Sequence, residues 1–139
     1  MRFRGEFGFL SNFFPCTVAY EGRNYPCVEA AYQAAKTLNP AQRCPFERMD
    51  GAQAKREGRK VKLRPDWNAC RTRVMAELLA SKFSNPTLKN LLSHVNGKIE
   101  EENTWHDTFW GVCTCPACHG RGDNTLGLIL TFIRDYQRR

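Results

Sequence analysis

One stretch constrains this chain more than any other: Tyr25-Pro26-Cys27-Val28-Glu29-Ala30-Ala31-Tyr32-Gln33-Ala34-Ala35-Lys36. Pro26 suits a helix entrance, and the alanines that follow favour helix strongly. At 3.6 residues per turn, Glu29, Tyr32, Gln33 and Lys36 fall within an arc of roughly 100°. Val28, Ala31 and Ala35 take the opposite side and are small enough to pack closely. A helix that only covers a core puts large apolar residues inward and spreads its charges outward. Here an acid, a phenol, an amide and an amine share one face. Ordinary solvated charges would also explain Glu29 and Lys36, so the pattern alone leaves both readings open.

The whole chain of 139 residues is enough for one domain around one core. Hydrophobic residues at 42% and aromatics at 12% argue for a folded globule. No apolar run is long enough to cross a bilayer, so no membrane is expected as a partner. The opening Met1-Arg2-Phe3-Arg4-Gly5-Glu6 lacks a signal-peptide pattern, which makes the cytoplasm the expected compartment. Seven cysteines, an odd number, then read as reduced thiols rather than a disulfide framework. A formal net charge of +7 favours encounter with phosphates, whether on a nucleotide or on nucleic acid.

In chain order, Phe3, Gly5, Phe7 and Phe9 share a period of two and predict a strand. Residues 16–20 predict a second strand, with a turn at 21–24 and a return beginning at Tyr25. The opening helix should stop near Leu38, ahead of Asn39-Pro40. Residues 39–50 read as irregular, and 51–59 as a short basic helix. Pro65 and Asp66 start a core helix whose inner face is Trp67, Cys70, Val74 and Leu78, with Met75 and Leu79 beside it. Asn85-Pro86 starts the next, packing through Leu88, Leu91, Leu92 and Val95. Residues 98–102 read as a short extended piece. The last helix, 124–137, carries Leu126, Ile129, Leu130, Ile133 and Tyr136 at helical spacing. Leu128 and Phe132 widen that surface and predict a largely buried helix.

Three further groups bear on chemistry. Asn103-Thr104-Trp105-His106-Asp107-Thr108-Phe109-Trp110-Gly111 places two indoles, which stack well on nucleobases, beside an imidazole and a carboxylate. Cys113-Thr114-Cys115-Pro116-Ala117-Cys118-His119 resembles half of a zinc knuckle. Its second pair is missing, so seven consecutive residues would have to supply four ligands unless Cys16, Cys27 or His94 joined. A metal-free reduced hairpin is the expectation. Gly120-Arg121-Gly122-Asp123-Asn124-Thr125-Leu126-Gly127 enters the last helix with a phosphate-friendly N-terminus and Arg121, but lacks P-loop spacing. A plain turn with an N-cap explains it equally well.

Taken together, Gly8-Phe9-Leu10-Ser11-Asn12-Phe13-Phe14-Pro15, the 25–36 stretch and the run from Asn103 through Trp110-Gly111 to Asn124 and Ile133-Arg134 resemble the NADAR, or YbiA-like, family over nearly the whole chain. The resemblance implies an α+β fold: a mostly helical single domain over residues 1–139 with a small N-terminal antiparallel sheet. It also implies an N-glycosidase or ADP-ribosyl hydrolase that needs no metal or cofactor and cleaves a ribosyl C1–N bond. The implied substrates are ADP-ribose on guanine in nucleic acid or a ribosylamino-pyrimidine of the riboflavin pathway. A non-catalytic ADP-ribose or nucleic-acid binding module is the alternative, and a small zinc-stabilised adaptor a third.

Asn12, Glu29, Gln33, Lys36, Trp105, Asp107, Trp110, Asn124 and Gly127 match the family pattern by position. Ala30 departs from it, since many members carry His there, so that His is either dispensable here or replaced by another group such as His106. The cysteine loop is not a general family feature. Cleaving a ribosyl C–N bond builds positive charge on the sugar, as in glycoside hydrolysis. Glu29 is the expected carboxylate beneath C1, with Asp107 the second acid. Lys36 could trap an opened ribose as a Schiff base. Substrate binding falls to Arg4, Asn12, Gln33, Trp105, Trp110, Arg121 and Asn124, the indoles stacking on the base and the arginines meeting phosphate.

Overall fold

Glu21 and Gly22, both at positive φ (45° and 80°), form the two-residue turn that a tight hairpin requires. It joins β1 (Val18–Tyr20) to antiparallel β2 (Arg23–Tyr25), with Val18 opposite Tyr25 and Tyr20 opposite Arg23. The computed structural model describes all residues, 1–139. Its chain divides into two compact units, one of Met1–Ser11 with Asn85–Arg139 and the other Asn12–Ser84. Helices make up 48% of the residues, and the hairpin is the small antiparallel sheet. No helix is long and apolar enough to cross a membrane.

The 12–84 unit is built on α1 (Val28–Ala35), every residue of which is buried. The short α2 (Pro40–Arg43) and a 3-10 helix (Cys44–Arg48) occupy the stretch expected to be irregular. Asn39 caps α2 by accepting from the Ala41 amide, and Pro40 sits at its first position. After them, α3 (Gly51–Glu57) begins with a capping box between Asp50 and Gln53. α4 (Trp67–Lys82) then buries Trp67, Cys70, Val74, Met75, Leu78 and Leu79 as expected, and also Lys82. α1 packs against α3, α4 and the hairpin. Its small residues permit that approach from several sides.

In the other unit, α5 (Pro86–Ser93) starts at Asn85, whose side chain accepts from the Thr87 and Leu88 amides. α6 (Thr125–Gln137) packs on α5. Buried Arg134 of α6 ties the helices together by donating to the Val95 and Gly97 carbonyls. Gly127 permits a close pass of the chain, since a Cβ there would strike the Ile99 carbonyl. Two-residue strands β3 (Glu102–Asn103) and β4 (Val112–Cys113) pair in parallel.

Three further expectations fail. Gly5–Leu10 is a 3-10 helix rather than a strand, opened by Gly5 at φ 58° and closed by the Ser11 amide on the Gly8 carbonyl. Adjacent Phe9 and Leu10 are both buried in it, where a strand with one solvated face would alternate. Leu91 is exposed, because only Leu88 and Leu92 of α5 face inward. α6 is not largely buried: Leu128, Phe132 and Tyr136 lie one turn apart on an exposed face, with the last two rings stacked at 6.3 Å.

Candidate functional site

Asn12, Glu29, Gln33 and Lys36 lie in the 12–84 unit, Glu29 and Gln33 on α1 and Lys36 at its C-cap. The Asn12 carbonyl accepts the Glu29 amide at 3.0 Å, which fixes Asn12 at the entrance of the helix. Glu29 is only 9% exposed. Gln33, one turn on, donates its Nε2 to Glu29 Oε1 at 2.8 Å. Burial pushes the Glu29 carboxyl above the usual carboxylate range, while the Gln33 donor and the charges of Lys55 and Lys36 pull it back. Lys36, at the C-cap, is held below the ordinary lysine range by burial, against the attraction of Glu29. Its Nζ sits 5.8 Å over the Tyr32 ring, which in turn contacts Trp67 at 5.0 Å between centroids. Tyr32 therefore packs.

Two acceptors in this group have no partner. Asn12 Oδ1 and Gln33 Oε1 are both buried without a hydrogen bond. Asn12 spends its amide on a 3.8 Å contact with the Met75 sulfur. A buried acceptor left unpaired costs about 1–3 kcal/mol, so folded chains rarely keep such groups without a use. Sugar hydroxyls are donors of the required kind.

Gly58 closes on the same amide: a Cβ there would collide with Gln33 and lie 3.1 Å from the Ala54 carbonyl. Its φ of −61° suits alanine, so only the lack of space forbids one. Gly58→Ala is expected to cost roughly 1–3 kcal/mol by overpacking and to drive Gln33 off Glu29. Urea denaturation together with turnover measures both. Unchanged stability and turnover would show that the Gln33–Glu29 pair has room to spare. A cavity of about 210 Å³ in this unit is lined by Phe13, Pro26, Cys27, Asp50 and Gly51 among others. It contains none of the four candidates and is smaller than ordinary ligand pockets of about 300–1,000 Å³.

Arg4, Trp105, Asp107, Trp110, Arg121 and Asn124 lie in the other unit. Arg4 and Trp105 are exposed, the latter at 63%. Asp107 Oδ1 accepts the Phe109 and Trp110 amides at 3.1 and 2.9 Å, so its carboxylate organises a turn. Trp110 meets Phe109 edge to face at 4.8 Å. Arg121 donates to the Cys118 and Ala117 carbonyls of its own loop. Asn124, at φ 55°, uses both ends of its amide on backbone, accepting from Glu101 and donating to Ile99. These placements give Asp107, Arg121 and Asn124 visible structural work.

Ala30 is fully buried. His106, the stand-in considered for the missing His, faces sulfur instead: its Nδ1 is 3.4 Å from Cys115 Sγ, 3.4 Å from Cys118 Sγ and 3.8 Å from Cys113 Sγ. Spacing alone points to a fourth ligand at His119 or far away in the chain, and not to His106. A short loop that doubles back hides such a partner from spacing rules.

A family model described as the NADAR domain matches residues 2–138. The chain belongs to the NADAR family. Among NADAR relatives, a riboflavin biosynthesis protein of Vibrio vulnificus is 34% identical over 133 residues, covering 92% of this chain and 35% of that protein. The chain thus spans about a third of that relative's length. N-glycosidase YbiA of Escherichia coli is 31% identical over 134 residues, 94% of this chain and 81% of that one. An N-glycosidase of Nostoc punctiforme is 27% identical, covering 93% and 85%. The NMR structure of E. coli YbiA superposes with a TM-score of 0.80 at 28% identity, over 99% of this chain and 84% of that one. The NADAR fold expected from the resemblance is therefore the observed one.

Proposed function

We propose that this chain is an N-glycosidase that hydrolyses the C1–N bond of a phosphorylated ribosyl substrate, with the α1 carboxyl of Glu29 as its central group. The observation that carries the reading is the buried Glu29–Gln33 pair, in which Gln33 Oε1 lacks a partner as does Oδ1 of Asn12 at the helix entrance, in a chain whose relatives are named N-glycosidases. Ionised Glu29 stabilises the positive charge that grows at C1 as the base departs. Gln33 Nε2 orients the carboxylate, and the two unpartnered oxygens accept ribose hydroxyls. Water adds to C1, and the departing base takes a proton.

Lys36 offers a second route to the same products. Its neutral amine attacks C1, the base leaves with a proton, and the resulting imine of ring-opened ribose is hydrolysed by water. Burial favours the neutral amine this needs. Reductive trapping with borohydride during turnover is expected to leave ribose on Lys36. Lys36→Arg, which keeps the charge but forms no imine, should lose the adduct and about 10²-fold in rate. Turnover without any adduct would assign the reaction to Glu29 alone.

The substrate test has two arms: nucleic acid carrying ADP-ribosylated guanine, and ribosylamino-pyrimidine phosphate. The net charge of +7 supports the first, and the relative named for riboflavin biosynthesis supports the second. Release of ADP-ribose or of ribose phosphate, followed by chromatography, identifies the class. Saturable ADP-ribose binding with no product from either arm would overturn the enzyme reading in favour of a binding module.

A further inference from the structure

Outside the proposed catalytic residues, the densest group of reactive side chains is His106 with Cys113, Cys115 and Cys118. Their ligand atoms all lie within 4.8 Å of one another. A tetrahedral zinc ion with Zn–S about 2.3 Å and Zn–N about 2.0 Å sets neighbouring N···S distances at about 3.6 Å. The three observed, 3.4, 3.4 and 3.8 Å, straddle that value. Hydrogen bonding offers a poorer account of the cluster, because one Nδ1 cannot serve three thiols well at once.

The surrounding backbone has the form of a knuckle. The Cys118 amide donates to Cys115 Sγ at 3.3 Å and to the Cys115 carbonyl at 3.2 Å. His119 donates to the same carbonyl at 3.0 Å, and Gly120 to that of Cys113 at 2.7 Å. Amide donors to sulfur stabilise thiolate, the form that binds metal. Cys113 sits on β4 and pairs with Arg121 across the loop, which fixes both ends of the knuckle. His106 reaches it from a separate turn, at a φ of 69° that a non-glycine residue rarely adopts.

We propose that His106 Nδ1 and the sulfurs of Cys113, Cys115 and Cys118 form a structural Cys3His zinc site. Three thiols give up their protons on binding, so the occupied site carries one net negative charge. Four protein ligands leave no open position, and the ion takes no part in glycosidic cleavage. Sulfur-rich tetrahedral geometry selects zinc over magnesium or calcium. The ion clasps the 103–111 segment to the 113–121 loop. It thereby holds the turn that Asp107 caps, and Trp105 beside it.

The test uses the full, untagged chain expressed in zinc-supplemented medium and purified with a phosphine reductant. Elemental analysis should find about one zinc per chain, on the four-ligand stoichiometry of such sites. Apo protein titrated with Co²⁺ should develop thiolate-to-cobalt charge transfer and tetrahedral d–d bands, which zinc abolishes. His106→Ala and Cys115→Ser should each weaken zinc binding at least tenfold in competition with a chelating dye, with roughly that factor expected even for groups that only orient ligands. Cys44→Ser, at an exposed thiol outside the cluster, should bind as wild type does. Wild-type protein that takes up no stoichiometric zinc after reconstitution overturns the site, and this readout does not depend on any variant folding. A wild-type cobalt spectrum that His106→Ala leaves unaltered overturns the ligand set.

Discussion

Glu29→Gln is expected to lower kcat about 10³-fold, with chain stability at pH 7 unchanged or increased. The substitution keeps shape and hydrogen-bonding capacity but removes the charge that would balance the cation at C1. Its effect on stability has the opposite sign for a reason visible in the fold. Burial raises the Glu29 pKa above its unfolded value. Between those two values the folded chain holds a proton that the unfolded chain has released. Stability is therefore lost as pH rises through this window, and ionised Glu29 above it is a burden on the fold. Gln carries no such burden.

The same shift predicts the pH profile. An activity that needs the carboxylate rises as Glu29 ionises, so kcat/KM should climb at a pH above the usual carboxylate range. That limb should be absent from any residual activity of Glu29→Gln. Joint measurement of turnover and urea stability separates the possibilities. A variant that loses stability and activity in proportion would show Glu29 to be a structural residue, and the catalytic assignment would fall.

How much of this was legible in the sequence depended on how local each cause was. Asn85-Pro86 announced α5, and the run from Glu21 to Asn24 announced a hairpin turn, of which the structure uses only Glu21-Gly22, because caps and tight turns are decided by a few adjacent residues. The inner face of α4 followed from periodicity. Phe3 to Phe9 misled, since alternate aromatics look alike in a strand and in a 3-10 turn opened by a left-handed glycine. Leu128, Phe132 and Tyr136 were expected inside, but periodicity does not reveal which apolar face finds a partner.

Candidate residues divide along the same line. The Glu29–Gln33 pair was readable because residues four apart on a helix must meet. Nothing local could show that Asn12 Oδ1 and Gln33 Oε1 would be buried without partners, that Asp107 would cap a turn, or that His106 would fold back onto three cysteines. Those depend on tertiary placement.

Lys82 is the residue that local signals announce least and whose expected effect on stability is largest. It ends α4 fully buried, with its ammonium 5.6 Å over the Phe14 ring and 5.2 Å over that of Phe83. Loss of hydration pushes its pKa down to about 8, with Cys16 and Cys27 as the ionisable groups that oppose the shift. An unfolded lysine titrates near 10.4. Between about 8 and 10.4 the unfolded chain keeps a proton that the folded chain has lost, so Lys82 makes stability rise with pH there. Below about 8 its full penalty is present. Lys82→Met retains the stem and removes the charge. At pH 7 removal of the dehydrated charge is expected to favour the variant by about 3 kcal/mol over its balance with wild type at high pH, given 1.36 kcal/mol per pKa unit between about 10.4 and about 8. That advantage should shrink to nothing by about pH 10.4. Burial raises the Cys16 and Cys27 thiols, which gives them the opposite pH dependence in both proteins. Subtracting variant from wild type leaves the lysine together with its coupling to those two thiols. Urea denaturation across pH 6 to 10 measures the difference. A variant less stable at pH 7, with a pH-independent deficit, would mean that contacts of the ammonium outweigh its dehydration and that the charge belongs in the core.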